Sequence, residues 1–169
     1  LSSALFSELE LKRPLLFFDL ETTGIDPVTS RIVQIALLQV LEDGSSREWD
    51  SLINPGIPIP PETTNIHGIS DGMVAHAPRF SEIAPLLATV FQDSDLAGYN
   101  STRFDVPMIL EEFARAHIRL DFSQHALLDA HLIFTQKEPR TLTAAYRYYC
   151  HAELLDAHSA LADTHASAE

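Results

Sequence analysis
The alternation of apolar and polar positions divides the chain into strands first and helices later. Ala4, Leu5, Leu9 and Leu11, spaced among polar residues, predict a short leading helix over residues 2–12. Pro14 then opens a run of Leu15, Leu16, Phe17, Phe18 and Leu20, broken only by Asp19, which reads as a strand buried on both faces of a sheet. After the Gly24 turn and a polar loop through Ser30, the stretch from Ile32 to Leu41 predicts a long second strand. Asp43-Gly44 marks a turn, and Arg47 to Ile53 reads as the returning strand of an antiparallel hairpin.

Between Asn54 and Pro61 the chain is rich in Pro and Gly and predicts loop. Ile66-His67-Gly68-Ile69-Ser70 falls in the long connection that follows, and long ordered loops commonly carry function. Ile83, Leu86, Leu87, Val90 and Phe91 recur at helical spacing, with Pro85 placed near the first turn. Leu96 to Tyr99 is a short strand. Val106, Ile109, Leu110 and Phe113 mark one face of a helix opened by Asp105 and Pro107. A last strand is expected near Ile118 to Phe122, followed by helices around Ala130 to Thr135, Thr141 to Cys150, and His158 to the end. Strands that alternate with helices after an initial hairpin imply an α/β fold with a mixed central sheet of about five strands, the first three antiparallel neighbours, flanked by helices.

Composition narrows the class. With 169 residues, 46% of them hydrophobic, the chain suits one domain over residues 1–169 with a substantial core. No apolar run approaches the roughly 18 to 20 residues of a membrane span, so no membrane association is expected. Cys150 is the sole cysteine, which excludes an internal disulfide and fits a reducing cytoplasm, the expected location. The first residue is Leu rather than Met, so the lack of a leader proves little. A net charge of −13 argues against sequence-blind adhesion to nucleic acid through a basic patch. It is compatible with an enzyme that carries its positive charge as bound metal, since ions invert the local sign of an acidic cleft.

Phe17-Phe18-Asp19-Leu20-Glu21-Thr22-Thr23-Gly24 is the first stretch with chemistry in it. Asp19 and Glu21 alternate to the same strand face, roughly 6.6 Å apart, where two carboxylates repel each other and lose hydration. A hard divalent cation, magnesium or manganese, would relieve both costs; a strand that ends in surface acids before a turn would look similar. Asn100-Ser101-Thr102-Arg103-Phe104-Asp105 follows a strand and opens a helix, so Asp105 emerges at the sheet rim beside the strand of Asp19, either as a site residue or as a helix cap. In His158-Ser159-Ala160-Leu161-Ala162-Asp163, residues five apart on a helix sit about 140° apart. Both ends can serve one site only if His158 precedes the helix and Asp163 lies within it.

Taken in order, these three segments resemble the exonuclease motifs of the DEDDh, or DnaQ-like, 3′–5′ exonuclease family, the group that includes the proofreading epsilon subunit of DNA polymerase III and ribonuclease T. The motifs span residues 17–163, and Ile66-His67-Gly68-Ile69 resembles a fourth, substrate-contacting segment. One departure is that many relatives place the Asn one residue closer to the Asp than Asn100 is to Asp105.

The resemblance implies a ribonuclease H-like fold and metal-dependent removal of nucleotides from the 3′ end of single-stranded DNA or RNA. It implies that Asp19 bridges two divalent ions, Mg²⁺ or Mn²⁺, that Glu21 and Asp163 complete the first site, that Asp105 supports the second, and that His158 takes the proton from the attacking water. Backbone at Thr22 would meet the terminal 3′ hydroxyl, and Ile66, His67, Asn100 and Phe104 would contact the terminal nucleotides, with core packing or structural hydrogen bonds as the plainer roles for these side chains. A DNA polymerase or repair assembly is the expected partner. The competing reading is a catalytically inactive module that binds nucleic acid or docks in a replication assembly; the intact set of four acids disfavours it. Asp129, His131, Asp156 and His165 could be mistaken for ligands, yet the acid count is already met and Asp156 matches no required position; Tyr146, Tyr148 and Tyr149 read as helix packing.

Overall fold
The computed structural model describes residues 10–137, 141–155 and 159–168, and its chain divides into two compact units, Leu1–Ala130 and His131–Glu169. Residues 2–9 of the expected leading helix and His158 lie outside the described residues, and residues 10–12 are not helical.

The first unit is built on a five-stranded mixed sheet in the order β3-β2-β1-β4-β5. β1 (Leu15–Thr22) pairs antiparallel with β2 (Ile32–Val40), which pairs antiparallel with β3 (Ser46–Leu52) across the Asp43-Gly44 turn, where Gly44 takes φ 80°. β4 (Asp95–Gly98) lies parallel to the other side of β1, and β5 (Leu127–Asp129) parallel to β4. The expected last strand near Ile118 to Phe122 is therefore misplaced. Leu120 and Phe122 do alternate inward and are buried in the core, but that stretch joins no ladder; the pairing falls to the shorter Leu127–Asp129.

Strand alternation decides what each face meets. Leu16, Phe18 and Leu20 of β1, with Ile35 and Leu37 of β2, face the main core beneath α3 (Phe80–Asp93) and α4 (Asp105–Arg115). Phe91 is its centre: fully buried, its ring meets Phe18 edge-on at 5.1 Å and Phe113 at 5.8 Å. Leu15, Phe17, Val40 and Ala97 form a smaller cluster on the opposite face.

Helix termini follow local chemistry. Glu82, three residues into α3, accepts the Arg79 N–H at 2.7 Å and closes a capping box. Of the predicted α3 stripe, Leu86 is 68% exposed, and the buried stripe runs instead through Phe80, Ala84, Leu87, Ala88 and Phe91. The connection carrying Ile66 and His67, expected as loop, contains α1 (Pro61–His67), started by Pro60 and Pro61 and stopped by Gly68 at φ 79°. The four-residue α2 (Asp71–Val74) follows.

In the second unit, α5 (Ala130–Lys137), α6 (Leu142–Cys150) and α7 (Ala160–Ala168) match the expected helices. Thr141 caps α6 by accepting the Ala144 N–H at 3.2 Å. Tyr148 and Tyr149, expected as helix packing, are 73% and 77% exposed and instead meet each other edge-on at 4.9 Å. No helix among the described residues is long and apolar enough to cross a membrane.

Phe91→Ala removes the ring around which three other phenylalanines gather, and is expected to cost about 3–5 kcal/mol. Urea unfolding checks this; a midpoint matching the parent protein would show that the aromatic cluster is not the centre of stability.

Candidate active site
Side chains on β1 create the electrostatic problem. Asp19 stands opposite Ala36 and Glu21 opposite Gln34, so both acids share the face that carries Phe17. Asp19 is exposed and Glu21 half-buried. Desolvation still raises the Asp19 carboxyl above its ordinary value. Past Glu21 the register skips Val33, so that Thr22 pairs with Ile32. This bulge ends the regular ladder beside the acids. The following turn is fixed locally: Thr22 Oγ1 donates to the Gly24 carbonyl at 2.7 Å, and Thr23 Oγ1 accepts the Arg31 N–H at 2.9 Å. Buried Thr22 is thus held with its backbone beside Glu21.

The third acid arrives from β4. A turn over residues 100–104 carries the chain from β4 into α4, whose first residue is Asp105. Asp105 does not act as the helix cap: the N-cap is Phe104, without a side-chain cap bond. Instead the Asp105 carboxylate is 3% exposed, and its Oδ1 is buried without a hydrogen-bond partner. Burial, then the nearby charge of Asp19, and less strongly that of Asp129, push its pKa up to about 7, against the partial relief given by its own N–H and that of Leu20. Asp19 and Asp105 therefore feel each other directly. An orphaned buried carboxylate oxygen next to a second carboxylate is what a hard cation would satisfy, and the oxygen-only donors fit magnesium or manganese. Among the described residues, no three His, Cys, Asp or Glu side chains cluster closely enough to form a complete ion site by themselves.

The remaining sequence-predicted residues sort unevenly. Ile66 is 82% exposed on α1, which excludes the core role. His67 ends that helix, and its Nδ1 accepts the Ile69 N–H at 3.0 Å, a structural bond, while its Nε2 is buried and unpartnered. Phe104 is partly buried against the main core. Asn100 adopts φ 58°, a left-handed conformation that Asn tolerates better than most residues, so the turn itself accounts for its identity. Asp163 lies in the first turn of α7, in the second unit, where its N–H donates to the Ser159 carbonyl at 2.9 Å. His158, the expected base, is outside the described residues.

Two buried acids escaped the sequence reading. Glu112 on α4 lies 3.4 Å from the Ile32 N–H and pairs with Arg115 at 3.1 Å; burial raises its pKa despite that cation. Arg115 in turn donates to the carbonyls of Pro27 and Val28 at 2.6 and 2.7 Å, tying α4 to the loop after β1. Asp129, set aside from sequence, is 4% exposed at the end of β5 and accepts from the 100–104 turn. An acid closing a Leu-Leu pair was the available signal. A cavity of ≈ 200 Å³ lined by Arg31, Ile53, Arg79, Glu112 and Arg115 includes none of the β1 acids and lies outside the candidate site.

The fold has counterparts among solved structures. Exonuclease I of E. coli in complex with a dT13 oligonucleotide superposes with a TM-score of 0.66 over 92% of this chain and 39% of that one, at 19% identity, which establishes a shared fold. The mixed five-stranded sheet flanked by helices is a ribonuclease H-like α/β fold. More narrowly, residues 16–169 match the family described as Exonuclease (RNase_T), and the chain belongs to that family, in its DEDDh, DnaQ-like group. A DNA polymerase III subunit epsilon-like protein of Rhodobacter capsulatus is 32% identical over 90% of this chain, which spans 22% of that relative. Exonuclease DPD1, chloroplastic/mitochondrial, of Arabidopsis thaliana is 30% identical over 86% of the chain, which spans 51% of it.

The raised Asp105 pKa has a definite sign for stability. Below 3.8 the carboxyl is protonated in both the folded and unfolded states and costs nothing; between 3.8 and about 7 the unfolded state alone loses its proton, so the metal-free protein loses stability as pH rises. Asp105→Asn is therefore expected to melt several degrees higher than the parent at pH 8 in EDTA, with the gain vanishing near pH 4. Thermal scans across that range would expose an error if the gain were independent of pH.

Proposed function
We propose that the chain is a metal-dependent 3′–5′ exonuclease acting on the 3′ end of single-stranded nucleic acid, with DNA favoured, and releasing nucleoside 5′-monophosphates. The observation that carries this reading is the buried, unpartnered Asp105 oxygen held beside Asp19. Family membership supports it, as does the oligonucleotide named for the fold neighbour. The epsilon-like name of one relative supports a polymerase or repair assembly as partner.

In this reading Asp19, Glu21, Asp105 and Asp163 hold two divalent cations, Mg²⁺ or Mn²⁺. When bound, such ions lower the pKa of a water and stabilise the charge on the attacking and leaving oxygens. The chain's own residues do the rest. The four acids would hold the cations and, being anions themselves, contribute no neutralisation of the phosphate. His158 accepts the proton of the attacking water, for which an unperturbed pKa of about 6.5 is suitable near neutral pH. The water oxygen forms a bond to phosphorus as the bond to the neighbouring nucleotide's 3′ oxygen breaks, and that oxygen takes a proton from solvent. Backbone at Thr22 meets the terminal 3′ hydroxyl. Ile66, exposed on α1, offers an apolar face to a terminal base, and His67, Asn100 and Phe104 complete the contacts; stacking of this kind tolerates any base.

A 5′-labelled single-stranded oligonucleotide incubated with Mg²⁺ is expected to shorten progressively, and to stay intact in EDTA. Asp19→Asn should lower kcat on the order of 10³-fold, because ion-borne transition-state stabilisation amounts to several kcal/mol and each 1.4 kcal/mol is a factor of ten. Intact label in both tubes would instead support the inactive binding module.

A further inference from the structure
Asp105 opens α4 and Asp129 closes β5; both are buried, and their oxygens are treated in opposite ways. Asp105 leaves one oxygen without a partner. Asp129 engages both: Oδ1 accepts the Asn100 N–H at 2.7 Å, and Oδ2 accepts the Thr102 N–H at 3.2 Å and the Thr102 Oγ1–H at 2.7 Å. We infer that Asp129 is a positioning residue of the acidic site, holding the 100–104 turn in the conformation that delivers the Asp105 carboxylate to Asp19. The inference rests on the metal-dependent reading above.

The turn has little else to define it from that side. Asn100 sits at φ 58°, a conformation that costs free energy in a non-glycine residue unless its surroundings impose it. Its N–H goes to Asp129 while its carbonyl accepts the N–H groups of Arg103 and Phe104 at 3.2 and 3.3 Å. The Ser101 carbonyl then takes the Val106 N–H at 2.8 Å and passes the chain into α4. From below, the turn rests on Gly98, where a Cβ would come within 2.7 Å of Ser101 Cβ and 3.3 Å of the Phe18 carbonyl. That carbonyl belongs to the peptide leading into Asp19. The clamp therefore has a floor on β1 and a roof on β5, and Asp105 follows one residue after it.

A neutral residue could not replace this carboxylate. Three donors approach from two directions, and only a carboxylate offers two acceptor oxygens with no donor of its own. Retaining it costs electrostatic repulsion, because Asp129 adds negative charge next to Asp105. Stability alone would favour an uncharged anchor in that neighbourhood. With its oxygens committed to the turn, Asp129 orders the site rather than binding an ion.

Mn²⁺ alone is the probe, titrated into the full chain and followed by the loss of the free-ion electron paramagnetic resonance signal, at a temperature well below every variant's melting point. Asp129→Asn and Thr102→Val are expected to weaken Mn²⁺ binding about 10- to 100-fold, the usual effect of removing support behind a ligand. Thr102→Ser, which keeps the hydroxyl, is expected to restore the parent affinity. On a labelled oligonucleotide the two weakening variants should require proportionally more Mn²⁺ for half-maximal rate, with the KM for the strand little changed. Parent-like Mn²⁺ affinity in folded Thr102→Val and Asp129→Asn overturns the inference while leaving the exonuclease reading intact. Should Asp129→Asn fail to fold, the Thr102 pair decides alone. A parent chain that takes up no Mn²⁺ overturns the exonuclease reading itself, and this inference with it.

Discussion
Burial of the Asp105 carboxylate near the charges of Asp19 and Asp129 is the constraint that the first unit has to absorb. Asp19 and Glu21 stand on one strand face, and Asp105, which opens α4, feels the charges of Asp19 and Asp129. Folding gathers like charges and strips water from the innermost one, which a protein selected for stability alone would avoid. The opposite face of β1 supplies the compensation. Leu16, Phe18 and Leu20 lock into the Phe91-centred core, so that the strand cannot rotate or slide to relieve its acids, since a one-residue slip would invert both faces.

This division explains why the sequence was informative where it was. Continuous apolar runs marked β1 and β2, and the Asp43-Gly44 turn specified the hairpin of β2 with β3. The α4 face was legible from Val106, Ile109 and Phe113. Leu86 misled because hydrophobicity alone does not fix which helix face turns inward: the buried face of α3 carries Ala84 and Ala88, and Leu86 lies off it. The strand near Ile118 misled for a related reason. Inward alternation reports burial, but a ladder also needs a neighbouring backbone, and β4 was already paired with Leu127–Asp129.

Within the site, the acids of β1 and the rim position of Asp105 were readable because charge in an apolar context is conspicuous. Asp129 was not, since its role depends on hydrogen bonds to a turn 27 to 29 residues away in sequence. Counting required ligands made it look superfluous, although a site needs anchors as well as ligands. His67 shows the converse. It was placed in a loop and proved to terminate a helix, where its ring bonds to the Ile69 backbone.

The sheet ends at β3 and β5, and these borders differ in kind. β5 has three residues and offers little backbone for another chain to copy. β3 has seven, largely exposed, and its outward row of amides would be an open template were it not for Arg47, Glu48 and Asp50 along it. Charged side chains on an outer strand raise the cost of joining a second strand edge to edge. Concentrated solutions of this protein should thus be protected from fibrous self-association by its least conspicuous strand, a form of colloidal insurance independent of any catalytic role.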